Sequence, residues 1–323
     1  MVTRQGEARL AATSHTEGVL EVWGLGPQRK LELLARDDRV GFHPDGVRWI
    51  NDSEIAVAAE GRGEMQRWRY ENHKLDLLQA FRVKSPPIDL TPVDLGQDGH
   101  LDYVLGPYAG RQVMVLWGQD NGQPREALLQ GDLTPSYPRL VDWDQDGKTD
   151  IVWSDRDVGS VRLARNLGKQ SFDVKILRPA APGAPRQVAV GDIDSDGYPD
   201  LVMSMEAGKC ARILFNDRKG GIASEAEIPA PISGYSAAAI TRIDGAPMLA
   251  LSEEGMIVLA RPGPAGVHGP WQLRILPAGS LPLDLQFIDL DRDGEPDLVF
   301  ANTGGNTVQI IFGPLWEKAT PLP

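Results

Sequence analysis

Gly191-Asp192-Ile193-Asp194-Ser195-Asp196-Gly197-Tyr198-Pro199-Asp200-Leu201-Val202 is the stretch that decides the fold. Its four aspartates stand at loop positions 1, 3, 5 and 9, and Gly197 follows the third. Carboxylates at alternate positions converge on a hard cation once a glycine lets the backbone turn sharply, and Ca²⁺ takes about six to eight oxygens. The pattern therefore indicates a calcium-binding turn, whereas an acidic turn without metal would tolerate Asn, Ser or Glu at these places.

Two further copies repeat this loop, and each is followed by an apolar pair. We expect one Ca²⁺ in each of the three loops, held by four carboxylates, the backbone carbonyl at position 7 and water. The expected ligands are Asp142, Asp144, Asp146, Lys148 and Asp150; Asp192, Asp194, Asp196, Tyr198 and Asp200; and Asp289, Asp291, Asp293, Glu295 and Asp297. A fourth copy, with Asp94, Asp98 and Asp102, has Gly96 in place of the position-3 carboxylate and is expected to bind weakly or not at all.

The loop differs from an EF-hand, which needs a bidentate Glu at position 12 and a helix on either side. Position 12 is Trp153, Met203 or Phe300 in the three full copies. A short apolar run that is typical of a strand follows each loop. The metal is therefore expected to hold the turn of a β-hairpin.

Composition favours one large all-β domain. The chain has 323 residues, of which 41% are hydrophobic, and its 35 glycines and 25 prolines punctuate short apolar runs. The net charge of −12 is matched by the twelve aspartates of the three full loops, and no basic stripe indicates nucleic acid. The single cysteine, Cys210, excludes an internal disulfide and a Cys-based zinc site, and we expect it to be buried on a strand.

An internal repeat of about 48 residues predicts the architecture. Turn centres fall near residues 6, 51, 99, 147, 197, 245 and 294, and the copies near 6, 51 and 245 keep the turn without the ligands. Each repeat has room for four short strands, such as 186–190, 200–205, 211–215 and 222–228 in the fifth. This period is typical of β-propeller blades, whereas a parallel β-helix uses much shorter repeats. We predict a single domain over 1–323, a seven-bladed β-propeller of four-stranded antiparallel blades with calcium loops in several of them.

The string Gly-Asp-x-Asp-x-Asp-Gly-x-Pro-Asp-Leu-Val resembles the FG-GAP/VCBS repeat of integrin α-subunit propellers and of many secreted bacterial propellers. The full motif covers three repeats and part of a fourth, and the other three match by spacing and strand pattern. The resemblance implies calcium between the first and second strands of a blade, on the face opposite the usual ligand-binding face. It implies no activity, because propellers serve as enzymes, lectins and scaffolds.

The two ends of the chain fit this repeat poorly. Five residues precede Gly6, which is too few for the first strand of a blade, and the tail after Phe312 is rich in proline. We therefore expect that the first blade lacks a strand or that the chain is a piece of a longer protein.

Ligand-binding candidates are polar and aromatic residues of the loops at the end away from the calcium turns. They are His15, His43, Tyr108, Arg111, Tyr137, Arg139 and Arg156, with Arg62, Asp157, Glu206, Lys209, Glu253, Asn302 and Asn306 beside them. Such residues form sugar or peptide sites, but solvated loop residues have the same composition.

Catalytic motifs are absent from the sequence, which has no zinc-type histidine spacing, no Gly-x-Ser-x-Gly and no phosphate loop. We expect a non-catalytic, calcium-stabilised binding or scaffolding propeller that recognises a protein or glycan. The alternative is a carbohydrate-active enzyme similar to polysaccharide lyases, which use His, Tyr and Arg at the channel mouth; His15, His43, Tyr108 and Tyr137 are the residues to suspect. A purely structural domain of a larger redox or adhesion assembly is a third reading.

Calcium affinity suggests the compartment. Sites of this open type bind Ca²⁺ at about 10⁻⁴–10⁻³ M in extracellular modules, so cytosolic calcium would leave them empty. Residues 1–20 contain no apolar signal core, and no run approaches the length of a membrane span. We expect a secreted, periplasmic or surface protein without membrane insertion, from which a leader and flanking segments have been removed.

Overall fold

Seven antiparallel sheets follow one another along the chain in the computed structural model, which describes residues 2–4 and 7–322 and side chains from residue 8 onwards. We call the sheets blades 1 to 7. The strands of blades 1 to 3 are β1 (Val2–Arg4), β2 (Glu7–Ser14), β3 (Val19–Leu25) and β4 (Leu31–Asp37); β5 (Pro44–Trp49), β6 (Glu54–Ala59), β7 (Glu64–Glu71) and β8 (Lys74–Arg82); and β9 (Pro87–Val93), β10 (Asp102–Pro107), β11 (Gln112–Trp117) and β12 (Arg125–Gln130).

Blades 4 to 7 continue the pattern. Their strands are β13 (Pro135–Val141), β14 (Asp150–Asp155), β15 (Ser160–Gly168) and β16 (Ser171–Arg178); β17 (Pro185–Gly191), β18 (Asp200–Met205), β19 (Cys210–Asn216) and β20 (Ile222–Pro229); β21 (Ala237–Ile243), β22 (Ala246–Glu253), β23 (Met256–Gly263) and β24 (Gly266–Pro277); and β25 (Pro282–Ile288), β26 (Asp297–Asn302) and β27 (Thr307–Ile311). A four-residue helix, α1 (Leu315–Lys318), and the short β28 (Thr320–Pro321) follow. The predicted all-β seven-bladed propeller is confirmed.

The polypeptide divides into two compact units. The first contains the chain up to Pro138 with Gly168–Ser171, and the second contains Arg139–Leu167 and the chain from Phe172 onwards. Blades 1 to 3 thus belong to the first unit and blades 5 to 7 to the second. The two units are described separately, and the single domain over 1–323 stays a prediction.

In blades 2 to 7 the second strand is the most buried, as β18 illustrates. All six of its residues are buried. Successive side chains of a strand point to opposite faces, so Leu201 and Met203 pack among core residues of blade 4, whereas Val202 packs among those of blade 6. Burying one such side chain contributes about 1.5–3 kcal/mol. A strand covered on both faces therefore appears in the sequence as a continuous apolar run, not as an alternating one.

The first of the two alternatives expected for the ends of the chain, a blade 1 without its first strand, was wrong. Blade 1 has a first strand, because β1 pairs with β2 in antiparallel register with Thr3 opposite Ala8. Within residues 2–4 and 7–322, blade 7 is the sheet with three strands. The tail adds β28 to blade 6 instead, where Thr320 pairs with Ile275. Gly6, the expected turn centre of blade 1, lies outside the described residues.

A tryptophan fixes this tail. Trp316 is buried, and the guanidinium carbons of Arg261 and Arg274 each lie 4.7 Å from its ring centroid. Arg274 also donates a hydrogen bond to the Trp316 carbonyl over 2.6 Å. Stacking on two cations and burial of the ring together offset the conformational entropy that is lost when this proline-rich segment becomes ordered.

Candidate calcium sites and the opposite face

The acidic loops lie between the first and second strands of blades 3, 4, 5 and 7. Consecutive strands are antiparallel, so the second-to-third turns and the connections between blades lie at the other end of each sheet. The location of the acidic loops in hairpin turns agrees with the sequence analysis.

The last aspartate of each loop is a buried structural clamp. In blade 5, Asp200 accepts hydrogen bonds from the backbone N–H of Ile193 (2.8 Å) and of Asn216 (2.9 Å). It thereby ties position 2 of the loop to the end of the third strand. The same pair of bonds is made by Asp102 with Leu95 and Gly118, by Asp150 with Trp143 and Asn166, and by Asp297 with Leu290 and Gly313. Asp102, predicted as a weak ligand, has this role without a complete metal loop around it.

Burial raises the pKa of these clamps. The pKa of Asp150 and of Asp200 rises to about 6, because burial outweighs the backbone N–H bonds that favour the ionised form. The pKa values of Asp102 and Asp297 are raised for the same reason. A cation beside these carboxylates would favour their ionised forms and so lower their pKa values again.

Three carboxylates converge in each full loop. Their oxygens lie within 4.8 Å of one another in the groups Asp142, Asp144 and Asp146; Asp192, Asp194 and Asp200; and Asp289, Asp291 and Asp297. Asp196, at position 5 of the blade 5 loop, does not join the converging group. Its carboxylate instead accepts hydrogen bonds from the N–H of Tyr198 (2.7 Å) and from Nε of Arg218 (2.6 Å). The structure thus gathers three of the four predicted carboxylates in each loop.

Two buried carboxylate oxygens test whether a cation fits. Oδ2 of Asp142 and of Asp289 accepts the N–H of Gly147 (3.0 Å) and of Gly294 (3.1 Å), respectively. Oδ1 of each is buried and has no hydrogen-bond partner among the described residues. A buried anionic oxygen beside other carboxylates is costly unless a cation compensates it. The donor set therefore fits a hard, oxygen-preferring ion such as Ca²⁺.

The loop of blade 4 also carries basic neighbours. Arg165 Nε lies 2.5 Å from Asp144 Oδ2, and Lys148 Nζ lies 2.7 Å from Asp146 Oδ2. The Lys148 hydrogen bond holds the pKa of Asp146 below its usual value. These cations neutralise part of the charge that an ion would neutralise.

Neighbouring turns touch one another in the second unit. The Gln145 side chain, in the loop of blade 4, donates to the Gly197 carbonyl in the loop of blade 5. Arg242, from blade 6, donates to the Asp192 carbonyl (2.5 Å) and to Ser195 Oγ (3.0 Å) in that same loop. The three turns are thus linked through backbone carbonyls and side chains.

The blades without full loops hold the turn by other means. In blade 6, Asp244 and Gly245 have positive φ angles of 52° and 78° and form a two-residue turn between paired Ile243 and Ala246. In blade 2, the Asn51 side chain accepts from the N–H of Ser53 (2.9 Å). The acidic loop is therefore one of several ways to form the turn between the first two strands of a blade.

His15 and His43 come together at the end of the blades opposite the acidic loops. Their ring centroids are 3.8 Å apart and the planes are 18° from parallel. His15 Nε2 lies 3.7 Å from Glu60 Oε2 and 3.9 Å from Asp45 Oδ1. Burial, followed by the proximity of His43, lowers the pKa of His15, whereas burial and a hydrogen bond to Glu60 raise the pKa of Asp45 to about 8. Sequence reasoning missed Asp45 and Glu60, although Glu60 directly follows a second strand, where other candidates were sought.

The remaining candidates are dispersed. Tyr108 is 60% exposed in the β10–β11 turn, and Arg111 lines a shallow hollow of about 240 Å³ with Lys84. Tyr137 and Arg139 lie half-buried in strand β13 instead of in a loop. Arg156 lines a second open hollow, of about 290 Å³.

Glu206 neutralises Arg156. Its carboxylate pairs with Arg156 (2.5 Å) and with Arg186 (2.6 Å). The three side chains thus join the second-to-third turns of blades 4 and 5 to strand β17. The ion pairs of this network account for Arg156 and Glu206 as residues that stabilise the fold.

A family model matches part of the propeller. Residues 142–203, which contain the loops of blades 4 and 5, match the model of the FG-GAP-like repeat. This part of the chain consists of FG-GAP-like repeats. No curated protein has a sequence significantly similar to that of this chain.

Solved structures share the fold of this propeller at low identity. A protein assigned as a 6-phosphogluconolactonase from Bacteroides uniformis is 14% identical, with a TM-score of 0.74 over 98% of this chain and 95% of that one. The periplasmic gluconolactonase of Pseudomonas aeruginosa is 16% identical, with a TM-score of 0.66 over 98% and 95%. BBS1N, solved in complex with ARL6DN, is 13% identical, with a TM-score of 0.64 over 96% and 89%. Across the part of the chain that the structure describes, no helix has the length and apolar character to cross a membrane.

Proposed function

We propose that this propeller is a calcium-stabilised binding module that works outside the cytoplasm and recognises a protein or a glycan. The observation that carries the proposal is the pair of buried, unpartnered Oδ1 atoms of Asp142 and Asp289, each facing further carboxylates. Such atoms are rarely left without compensation in a folded protein.

The residues that would hold Ca²⁺ are the three converging carboxylates of each loop, joined by the carbonyl of Lys148, Tyr198 or Glu295 and by water. Bound Ca²⁺ would supply positive charge that turns carboxylate repulsion into attraction. At free calcium about ten times the dissociation constant, each site adds about 1.4 kcal/mol, so three sites add about 4 kcal/mol. This is a large share of a typical folding free energy of about 5–15 kcal/mol.

The proposed compartment follows from this affinity. Open loops of this kind would be filled in extracellular or periplasmic calcium and empty in the cytosol. The gluconolactonase of similar fold from Pseudomonas aeruginosa is periplasmic, which is compatible with this placement.

Exposed apolar side chains support recognition at the end opposite the acidic loops. In the first unit, Phe42, Tyr108 and Leu133 are exposed there by 65%, 60% and 40% of their surface. The hollows at this end are small and open, whereas small-molecule sites usually measure about 300–1,000 Å³ and enclose their ligand. Contact with a larger partner suits such a surface better. BBS1N, which shares the fold, was solved bound to another protein.

A second candidate is an enzyme that acts on a carbohydrate or on a lactone derived from one. The close contact of His15 with Glu60 and Asp45 favours it, because paired imidazole and carboxylate groups perform general acid–base catalysis. Two of the structures of similar fold carry lactonase names. Turnover of glucono-δ-lactone or of an acidic polysaccharide by the native protein, lost in His15→Ala, would favour this candidate over the binding module.

Two measurements test the first proposal. The melting temperature of the native protein should be higher in millimolar Ca²⁺ than in EDTA, and an unchanged value would remove the calcium role. Binding on a glycan array, or to a purified candidate partner, should weaken at least about fivefold in Phe42→Ala with Tyr108→Ala. Ile176→Ala is the matched control, because Ile176 is 53% exposed on the outer strand β16. Equal loss in the control would refute the assigned face.

A further inference from the structure

A cluster of two histidines and a carboxylate lies between blades 1 and 2, within the first unit. His15 follows strand β2, His43 precedes β5 and Glu60 follows β6. These three connections share one end of the two sheets because consecutive strands are antiparallel. One ligand atom of each residue lies within 4.8 Å of those of the other two.

Glycines bring the three connections together. The N–H of Gly61 donates to the Phe42 carbonyl over 3.1 Å, and a Cβ on Gly61 would lie 2.3 Å from that oxygen. Gly18 has a φ of +68°, and a Cβ there would lie 2.8 Å from the Gly41 carbonyl. Any larger residue at Gly18 or Gly61 would push the segment that carries His43 outward, so the cluster is built into the backbone.

Further contacts fix the two histidines. Thr13 Oγ1 donates to the Asp45 carbonyl over 2.6 Å, which joins β2 to β5 beside His15. The Phe42 ring stacks on His43 at a centroid distance of 3.6 Å. Arg62, a cation in the same turn as Glu60, donates to the Arg39 carbonyl over 3.3 Å.

We propose that His15, His43 and Glu60 form a binding site for a divalent transition-metal ion of the Zn²⁺ class; Asp45, whose Oδ1 lies 3.9 Å from His15 Nε2, lies beside the site and is not one of its three ligands. Imidazole nitrogen and carboxylate oxygen are zinc ligands, whereas Ca²⁺ takes oxygen ligands. Two ligands at about 2.0–2.1 Å from a tetrahedral ion are about 3.4 Å apart. The two imidazole planes are 18° from parallel, so their in-plane lone pairs do not meet at one point. His15, with 47% of its side-chain surface accessible, must therefore rotate and close by roughly 1 Å to join His43 and Glu60 around an ion.

The geometry indicates an open site. Three protein ligands leave a tetrahedral ion with one position for water or for a group of a bound partner, whereas structural zinc sites close all four positions with protein ligands. The site lies at the end opposite the acidic loops, so it is independent of the proposed calcium role. An ion there would offer a coordination position on the face where Phe42 is exposed.

Titration calorimetry with Zn²⁺ on the full chain tests the site. The titration is made in millimolar Ca²⁺, so that the acidic loops are saturated. We expect one Zn²⁺ per chain, with affinity reduced at least about tenfold in His43→Ala and in Glu60→Gln, because even residues behind the ligands change metal affinity by about 10–100-fold. His100→Ala is the matched control. His100 lies 3.3 Å from the Asp120 carboxylate and is far in sequence from the proposed ligands, so its substitution should leave Zn²⁺ binding unchanged.

Co²⁺ provides a second readout. Visible absorption of bound Co²⁺ should appear in the native protein and in His100→Ala and disappear in His15→Ala with His43→Ala. The proposal is overturned if no saturable Zn²⁺ binding tighter than about 10 µM is found, or if it persists in the double variant. A retained calcium-dependent melting shift in each variant shows that it is folded, and that shift is also the separate test of the calcium role.

Discussion

Blades 5 and 6 form the turn between their first and second strands in two different ways. Blade 6 joins its first two strands with two residues, Asp244 and Gly245, and holds the turn without a carboxylate cluster, through a hydrogen bond from the Arg242 side chain to the Gly245 carbonyl. Blade 5 uses the loop from Asp192 to Asp200, which brings three carboxylates within 4.8 Å of one another. Since the sheet forms in both cases, the acidic loop is not required for a blade. Under the proposed function, a bound ion would offset the repulsion among these carboxylates.

Blade 3 lies between these two extremes. It keeps the clamp, because Asp102 accepts the N–H groups of Leu95 (2.9 Å) and Gly118 (2.7 Å). It lacks the position-3 carboxylate at Gly96. In blade 3 the clamp is therefore present without the full set of candidate metal ligands, whereas in blade 5 Asp200 belongs to both.

Removing the clamp should have the largest effect. Asp200→Ala leaves the buried N–H groups of Ile193 and Asn216 without acceptors, which should lower the free energy of unfolding by about 2–4 kcal/mol even in EDTA. Asp102→Ala should behave alike. Asp192→Asn is the contrast: it should cost less than about 1 kcal/mol in EDTA and reduce only the calcium-dependent gain. Urea denaturation with and without calcium measures both, and equal losses in EDTA for Asp200→Ala and Asp192→Asn would contradict a separate clamp.

Restoring the missing ligand should turn blade 3 into a calcium blade. A Cβ at Gly96 would lie 3.1 Å from the Asp98 carboxylate, so Gly96→Asp fits after a small shift of that side chain. Calorimetry should then show one more Ca²⁺ per chain, and stability at ten times the dissociation constant should rise by about 1.4 kcal/mol. Gly96→Asn is the matched control, with a smaller gain. An unchanged stoichiometry would mean that position 3 does not decide binding.

Acid should weaken the calcium effect. The pKa values of Asp150 and Asp200 are raised to about 6, so the metal-free folded state keeps protons that the unfolded chain loses near pH 4. This stabilisation is complete below pH about 4 and is lost as pH rises through about 6. Ca²⁺ competes with the same protons, so the melting difference between calcium and EDTA should grow from pH 5 to pH 7. A pH-independent difference would exclude these carboxylates from the sites.

Removing a basic competitor should have the smallest effect. Arg165→Gln takes a guanidinium from Asp144 and should strengthen calcium binding by the blade 4 loop about two- to fivefold, because exposed ion pairs contribute about 0–1 kcal/mol. Arg67→Gln breaks an ion pair with Glu54 in blade 2, at 2.6 Å, and serves as the control. Calcium titrations of both variants make the comparison, and weaker binding in Arg165→Gln would contradict the competition.

Local motifs in the sequence predicted most of the fold, because turn chemistry and apolar runs recur with the blade. The expected strand 200–205 and the observed β18 coincide. A further signal was overlooked: Pro44, Pro87, Pro135, Pro185 and Pro282 each begin the first strand of a blade. Proline suits a strand start, where no ladder N–H is needed.

Long-range contacts were not predictable in this way. The His15, His43 and Glu60 cluster depends on the packing of two blades, and no local spacing encodes it. Pairing of β28 with β24 likewise depends on Trp316 finding two arginines far away in the chain. Asp196 turns towards Arg218, which lies 22 residues further along the chain. The nine-residue motif does not contain this partner and therefore could not predict the contact.

The contacts between neighbouring turns would couple the candidate calcium loops of blades 4 and 5. Gln145 and Arg242 both grip backbone carbonyls of the blade 5 loop, one from each side. An ion that orders this loop would also immobilise its neighbours, so the next ion would meet a loop whose entropy has already been reduced. Filling would then be positively cooperative, with a Hill coefficient above one that returns to one in Gln145→Ala. The linked loops of blades 4 and 5 would then respond to calcium over a narrower concentration range than two isolated loops.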